Sequence, residues 1–312
     1  MGFKKVNALV REGRPFLIIS DFKAQCVEVV PLDELEANNI EYCICEDYEY
    51  KEHEHFLKKN PLDFVEYKKK FDAVIEKIEA GQTYILNLTQ ATPIETDLSL
   101  CEIYSLANAH YKLRYKDQFV CFSPEKFIQI KEQKIHTFPM KGTIDAAIDN
   151  AQEKILANTK EMAEHIMIVD LLRNDLSIVA KNVQVEEFRY IKKINAGEKE
   201  LLQVSSHISG DLEENWQEHL GDILKALLPA GSISGAPKKS TLGIIENVEA
   251  YERGFFSGIF GVFDGKNFDS GVMIRFIEKS SNRYLYKSGG GITLDSDALM
   301  EYKELQDKIY LP

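Results

Sequence analysis

Over much of this 312-residue chain one β-rich run follows another with no regular helix between them. KDQFVCFSPEKFIQIKEQKIHTFPMKGTI reads as successive strands joined by tight turns. Residues 183–212 return to strands, and GFFSGIFGVFDG, SGVMIRFIE and NRYLYKSGGGITL follow as three more. Strands that follow one another directly pair antiparallel, because a parallel neighbour needs a long crossover. The pattern predicts an α+β fold of large, mostly antiparallel β-sheets with helices packed outside, not a doubly wound parallel sheet.

The helices are marked by their periodicity. Phe64, Tyr67, Phe71, Val74, Ile75 and Ile78 recur at helical spacing over residues 62–80, and Gly81 follows as a stop. Residues 152–173 (QEKILANTKEMAEHIMIVDLLR) form the strongest helical run, and 215–229 and 238–249 also read as helices. The final helix, DALMEYKELQDKIY, has Asp295 or Ser296 available as its N-cap. Residues 1–61 read as a short β-rich N-terminal segment that completes the same fold, and 62–312 as the main domain.

Composition excludes several classes. Lys and Arg total 38 against 50 Asp and Glu, a net charge of −12. Duplex binding needs a basic face, so no nucleic-acid partner is expected. No stretch approaches the roughly 20 apolar residues of a membrane span, and no membrane partner is expected. The start, MGFKKVNALVREG, is charged where a signal peptide is apolar, so a cytoplasmic location is expected. Five cysteines without a paired CxxC point to reduced thiols, with neither a disulfide nor a zinc framework. His53 and His55 fall in the acidic run EYCICEDYEYKEHEHF, which reads as a solvated loop rather than a metal site.

Two Glu-x-x-Glu pairs carry candidate chemistry. Glu161/Glu164 and Glu301/Glu304 each project two carboxylates from one helix face. Four carboxylates are the hard oxygen donors that Mg²⁺ takes; the plain alternative is a solvated face with Glu161 pairing with His165. GSISGAPKKS (residues 231–240) is a turn running into a helix, whose free N–H groups can hold an anion. SGGGITLDSD offers a second nest at Gly289, Gly290 and Gly291; a plain tight turn is the alternative for both. Lys141 and Glu125 each follow a strand and a proline turn, so a hairpin would aim both at one space. A nucleophilic amine beside a carboxylic acid is the pairing that expels a hydroxyl, provided burial or charge leaves some amine neutral. Arg275 sits inside an apolar strand and needs an anionic partner, a bound carboxylate or a structural acid.

Taken in order, SPEKF, PMKGT, MIVDLLRND, GSISGAPK, SGGGI and the final EYKE resemble the chorismate-binding enzymes from about residue 62 onward. The resemblance implies the β-sandwich of anthranilate synthase component I, Mg²⁺ as cofactor and chorismate as substrate. Lys141 in PMKGT is similar to the lysine of the aminodeoxychorismate synthase component I branch, where anthranilate synthases have alanine. By that resemblance Lys141 attacks C2 of chorismate and Glu125 protonates the departing C4 hydroxyl. Glu164 and Glu304 match metal ligands, with Glu161 and Glu301 beside them. Gly142, Thr143, Ser232, Arg275, Gly289, Gly290, Gly291 and Lys308 match substrate contacts. Ammonia is expected from a separate glutamine amidotransferase subunit, since no Cys-His glutaminase segment is present, and feedback by tryptophan is not expected. Ile85 stands where relatives have Gln or a water-activating Lys, Gln203 where they have His, and Phe256 where they have Tyr. The alternatives are anthranilate synthase component I and a non-catalytic chorismate-binding relative.

Overall fold

The computed structural model describes residues 2–45, 55–196, 199–281 and 283–312. Its helices are α1 (Gly2–Arg11), α2 (Phe64–Glu79), α3 (Leu100–Leu106), α4 (Ala151–Ala157), α5 (Thr159–Leu176), α6 (Leu220–Leu227), α7 (Lys238–Glu249) and α8 (Ala298–Asp307). The strands of the first half are β1 (Phe16–Ser20), β2 (Val27–Pro31), β3 (Ile40–Ile44), β4 (Leu57–Lys59), β5 (Ile85–Thr96), β6 (Tyr111–Tyr115), β7 (Phe119–Ser123), β8 (Lys126–Lys131), β9 (Lys134–Thr137) and β10 (Met140–Asp145). Those of the second half are β11 (Lys181–Ala196), β12 (Lys199–Asp211), β13 (Gly235–Ala236), β14 (Ile259–Phe263), β15 (Phe268–Val272), β16 (Phe276–Ser280) and β17 (Arg283–Ile292).

Every strand pairing among the described residues is antiparallel, as the direct strand-to-strand runs require. One sheet runs β10-β12-β9-β8-β15-β14-β1-β2, with β11 also on β12; the other runs β13-β5-β17-β16-β7-β6-β3, with β4 on β5. Strand β1 shows how the layers are built. Leu17 and Ile19 face Tyr111, Leu113, Phe119 and Phe276 of the second sheet, forming the core of the sandwich. Phe16 and Ile18 face the other way, into a layer shared with Val6 and Leu9 of α1 and Leu224 of α6. Alternation along the strand thus buries both faces. Each such Leu, Ile or Phe removed from water contributes about 1.5–3 kcal/mol. A third cluster, with Ile94, Val120, Ile277, Leu100 and Ile103, packs α3 against the outside of the second sheet.

Four local expectations are corrected. Residues 2–11 are helical, not strand: Val6, Leu9 and Val10 lie on one face and are buried. The run at 152–173 is two helices, because Asn158 leaves the helical region and its side chain instead accepts the Glu161 N–H at 3.1 Å, capping α5. The cap of α8 is Asp297, whose carboxylate accepts the N–H groups of Leu299 and Met300; Ser296 donates instead to Glu301. Cys43 and Cys45 form a disulfide with Cα atoms 5.9 Å apart, while Cys26, Cys101 and Cys121 are free. Residues i and i+2 of an extended chain point to one side, which brings the two sulfurs together. His53 lies outside the described residues. No helix among the described residues is long and apolar enough to cross a membrane.

Candidate active site

Helix α5 packs on β10 and α8 on β17, which sets both Glu-x-x-Glu faces beside the strands that carry Lys141 and the glycine run. The cap at Asn158 starts α5 so that Glu161 and Glu164 share the face toward β10. Glu164 is buried, and its Oε2 lies 2.6 Å from Lys141 Nζ. A Cβ on Gly142 would stand 3.3 Å from Glu161 Oε2, so this strand and the helix touch at carboxylate level. Gly142 has φ +89°, a conformation that a side chain would strain. From the other side, a Cβ on Gly290 would lie 3.2 Å from Glu301 Oε2 and 3.9 Å from Glu304 Oε1. Lys308 donates to Glu304 at 2.7 Å and to the Gly289 carbonyl at 2.8 Å.

The charges settle as a mixed cluster. Burial pulls the Lys141 amine toward its neutral form, but Glu164, with Glu161 and Glu304, outweighs it and raises the pKa. Burial raises Glu301. Burial also acts on Glu304, but Lys308, Lys141 and Arg275 prevail and hold it below the ordinary carboxylate value. Four carboxylates are thus met by two ammonium groups. Among the described residues no three acidic, histidine or cysteine side chains stand close enough to grip a metal as they are. The donor chemistry nevertheless fits a hard divalent cation: all four groups offer oxygen, and Glu161 Oε2 is buried with no hydrogen-bond partner.

Beside this cluster opens a cleft of 220 Å³ lined by Glu125, Lys141, Ser232, Arg275, Gly289, Gly290, Gly291 and Lys308, among others. Glu125 sits on the connection between β7 and β8, and accepts the Ser232 hydroxyl at 2.5 Å. Its side chain is partly buried at the lining of the cleft. Burial pushes its carboxyl pKa up, against the opposing pull of Ser232, Arg275 and Lys308. Ser232 stands on a short turn, Gly231–Ile233, separated from α7 by the two-residue strand β13, so the turn does not run straight into a helix. Arg275 has φ +51° and donates to the Tyr310 hydroxyl at 3.3 Å; among the described residues it makes no salt bridge. Unpaired in a cleft, a guanidinium is a ready site for a carboxylate.

Eight of the fourteen sequence-derived candidates therefore line the cleft, and the four helix glutamates stand around Lys141 beside it. Gly142 and Thr143 do not line the cleft; Thr143 is exposed and pairs with Gln203 in the β10–β12 ladder. Ile85 is buried beneath Gly291, where a Cβ would lie 3.4 Å from its Cδ1, so that position offers no base. Phe256 is buried and lines the cleft with its ring toward Phe276. Asn87 and Lys287 line it too and escaped the sequence reading. Lys287 had a signal, since a lysine in an apolar strand must find an anion; its Nζ donates to Glu278 at 2.8 Å and to the Arg253 carbonyl at 2.9 Å.

The pattern of the chorismate binding enzyme family matches residues 31–311. The chain is similar to a PabA-like protein of Haemophilus influenzae, 45% identical over 99% of this chain and 95% of that protein. It is also similar to aminodeoxychorismate synthase component 1 of Bacillus subtilis, 32% identical over 77% of this chain and 54% of that protein, so it spans about half that relative's length. The menaquinone-specific isochorismate synthase of Escherichia coli has the same fold, with a TM-score of 0.75 at 15% identity over 98% of this chain and 79% of that one. With a match over nearly all of its length and a cleft built from the residues its motifs carry, the chain belongs to the chorismate binding enzyme family and is a chorismate-utilising enzyme.

Proposed function

We propose that the chain is aminodeoxychorismate synthase component I, converting chorismate and ammonia to 4-amino-4-deoxychorismate and water. The observation that carries this reading is the shared cleft of Lys141 and Glu125, an amine and a burial-raised carboxylic acid, with Arg275 beside them. In this reading the neutral Lys141 amine attacks C2 of chorismate, the ring electrons shift, and Glu125 gives its proton to the C4 hydroxyl, which leaves as water. Ammonia then adds at C4, the electrons return, and the Lys141 amine is expelled. Lys141 must lose the ammonium state that Glu164, Glu161 and Glu304 favour; a ligand that neutralises these carboxylates leaves burial to pull the amine toward its neutral form.

Glu161, Glu164, Glu301 and Glu304 would hold Mg²⁺, which when bound supplies positive charge to these carboxylates and to a substrate carboxylate. Arg275 and the N–H groups of the Gly289–Gly291 edge would bind the other carboxylate of the dianion. Because the whole protein carries net negative charge, such local positive groups must provide recognition. Ile85, with no ionisable group, is consistent with a site that does not activate water at that position. Ammonia would come from a separate glutamine amidotransferase subunit, and the product would feed synthesis of 4-aminobenzoate.

The test is product identification from chorismate and ammonium, with and without Mg²⁺. Aminodeoxychorismate without pyruvate release is expected. Anthranilate with pyruvate would overturn the branch assignment, and chorismate binding without turnover would overturn the enzyme reading.

A further inference from the structure

Behind the cleft lies an ion pair that touches none of the reacting atoms. Arg253 and Glu249 are 3% and 1% exposed. Arg253 Nε donates to Glu249 Oε2 at 2.8 Å, and Nη2 donates to Oε1 at 2.6 Å. The guanidinium has donors to spare, and both go to backbone carbonyls. Nη1 donates to Ile233 O at 2.9 Å, and Nη2 to Asn87 O at 2.7 Å. Asn87 Nδ2 donates to the same Ile233 carbonyl at 3.1 Å, and Asn87 N to Ser234 O at 3.0 Å. Glu249 Oε1 accepts from Thr89 N and Thr89 Oγ1, each at 2.8 Å, which ties the pair to β5. The Phe22 ring covers the guanidinium, its centroid 4.4 Å away.

Ile233 follows Ser232, and Ser232 is the residue whose hydroxyl meets Glu125. We propose that Arg253, held by Glu249, is a positioning residue for the acid: it pins the Gly231–Ile233 turn to β5 so that Ser232 keeps its hydroxyl on Glu125. This inference rests on the reading of Glu125 as the acid of the proposed reaction. The fork geometry is the physical reason for arginine. One planar group meets a carboxylate and two carbonyls from different segments at once, which the single ammonium of lysine cannot do.

The test is Arg253→Lys in the full chain, assayed with chorismate, ammonium and Mg²⁺. We expect kcat to fall about tenfold or more, since an ångström of misplacement costs up to about a hundredfold, while KM moves less than about threefold. The Ser232 hydrogen bond favours the ionised carboxyl, so its loss moves the alkaline limb of the kcat pH profile to higher pH; Arg275 and Lys308 also face Glu125 and are unchanged. In a Ser232→Ala background the same substitution is expected to add little. A variant that melts at lower temperature yet keeps kcat and pH limb overturns the proposal, because a merely structural pair would behave so. If R253K does not fold, Thr89→Val and Glu249→Gln carry the same test, and an unchanged limb in both overturns it. A crystal structure of R253K that keeps the Ser232–Glu125 contact sinks the positioning role whatever the activity. Loss of that contact in a protein whose wild type makes no aminodeoxychorismate sinks the proposed reaction alone.

Discussion

Lys141 Nζ stands 2.6 Å from Glu164 Oε2, and this pair joins the strand that carries the candidate nucleophile to the helix that carries two of the candidate metal ligands. The amine is thus stored as an ammonium inside a ring of carboxylates, with Glu161 and Glu304 reinforcing the charge. In the proposed reaction, occupancy of the site and readiness of the nucleophile would be coupled through the carboxylates around Lys141.

Lys141→Ala is expected to lower aminodeoxychorismate formation by about 10³-fold or more. It also leaves the buried Glu164 carboxylate unpaired, which costs about 1–3 kcal/mol in metal-free buffer. Steady-state turnover and thermal melts of the same preparation check both. Unchanged turnover would remove Lys141 from the chemistry.

Glu125→Gln keeps the shape of the cleft and removes the proton donor. Turnover should fall about 10²- to 10⁴-fold, with the melting temperature held or raised. The wild-type rate should decline on the alkaline side, because a carboxyl raised by burial serves as an acid only while protonated, and is lost as pH rises through its folded value. By the same sign, its contribution to stability is greatest below the ordinary value of 4.5 and fades above the folded one. A kcat profile with no alkaline limb, or a limb that persists in Glu125→Gln, would remove this assignment.

EDTA should abolish turnover and Mg²⁺ restore it. Glu161→Gln, which alters the orphaned buried oxygen, should raise the Mg²⁺ concentration for half-maximal activity about tenfold or more. Titration of activity and of melting temperature against Mg²⁺ gives two independent readings. A half-maximal concentration equal to that of the wild type would exclude Glu161 from the ligand set.

His136 Nδ1 and His207 Nε2 lie 3.0 Å apart on neighbouring strands of the first sheet. Burial lowers both pKa values, and for His136 the neighbouring His207 adds to it. A depressed histidine stabilises the fold above its unfolded value of about 6.5 and loses that contribution as pH falls through the folded value. The melting temperature of the wild type should therefore drop more than that of His136→Gln between pH 7 and pH 5.5. Equal drops would show that the pair does not titrate in the folded state.

At Gly271 on β15, a Cβ would lie 2.4 Å from Cγ of the buried Tyr111 ring on the facing sheet. Gly271→Ala must push the sheets apart or tilt the ring. Overpacking of this kind costs about 1–3 kcal/mol, read as a lower denaturant midpoint. A midpoint within error of the wild type would mean that the sheets yield freely there.

The antiparallel layering was legible because it follows from local order: strands that succeed one another without helices have few other ways to pair. Helix α1 was not, since only Val6, Leu9 and Val10 mark its buried face in ten residues. The break at Asn158 was hidden because neither Gly nor Pro announces it. At the site, residue types were readable from motifs, but their partners were not. That Glu164 would take Lys141 depends on α5 lying against β10, and that Arg253 would reach Ile233 depends on β5 and the turn meeting in space. Hydrogen bonds across such sequence distances leave no periodic trace.

Strand β5 runs beside β17 from Ile94↔Tyr284 to Leu86↔Ile292, so the glycine floor of the cleft is half a product of each end of the chain. Partners roughly 200 residues apart in sequence make such a pairing slow to form. Nothing resembling the finished pocket can exist while the later strand is unmade, which makes catalytic competence a late event in assembly. It also means that two fragments cut between these strands would each be inert, and could regain activity only by finding one another.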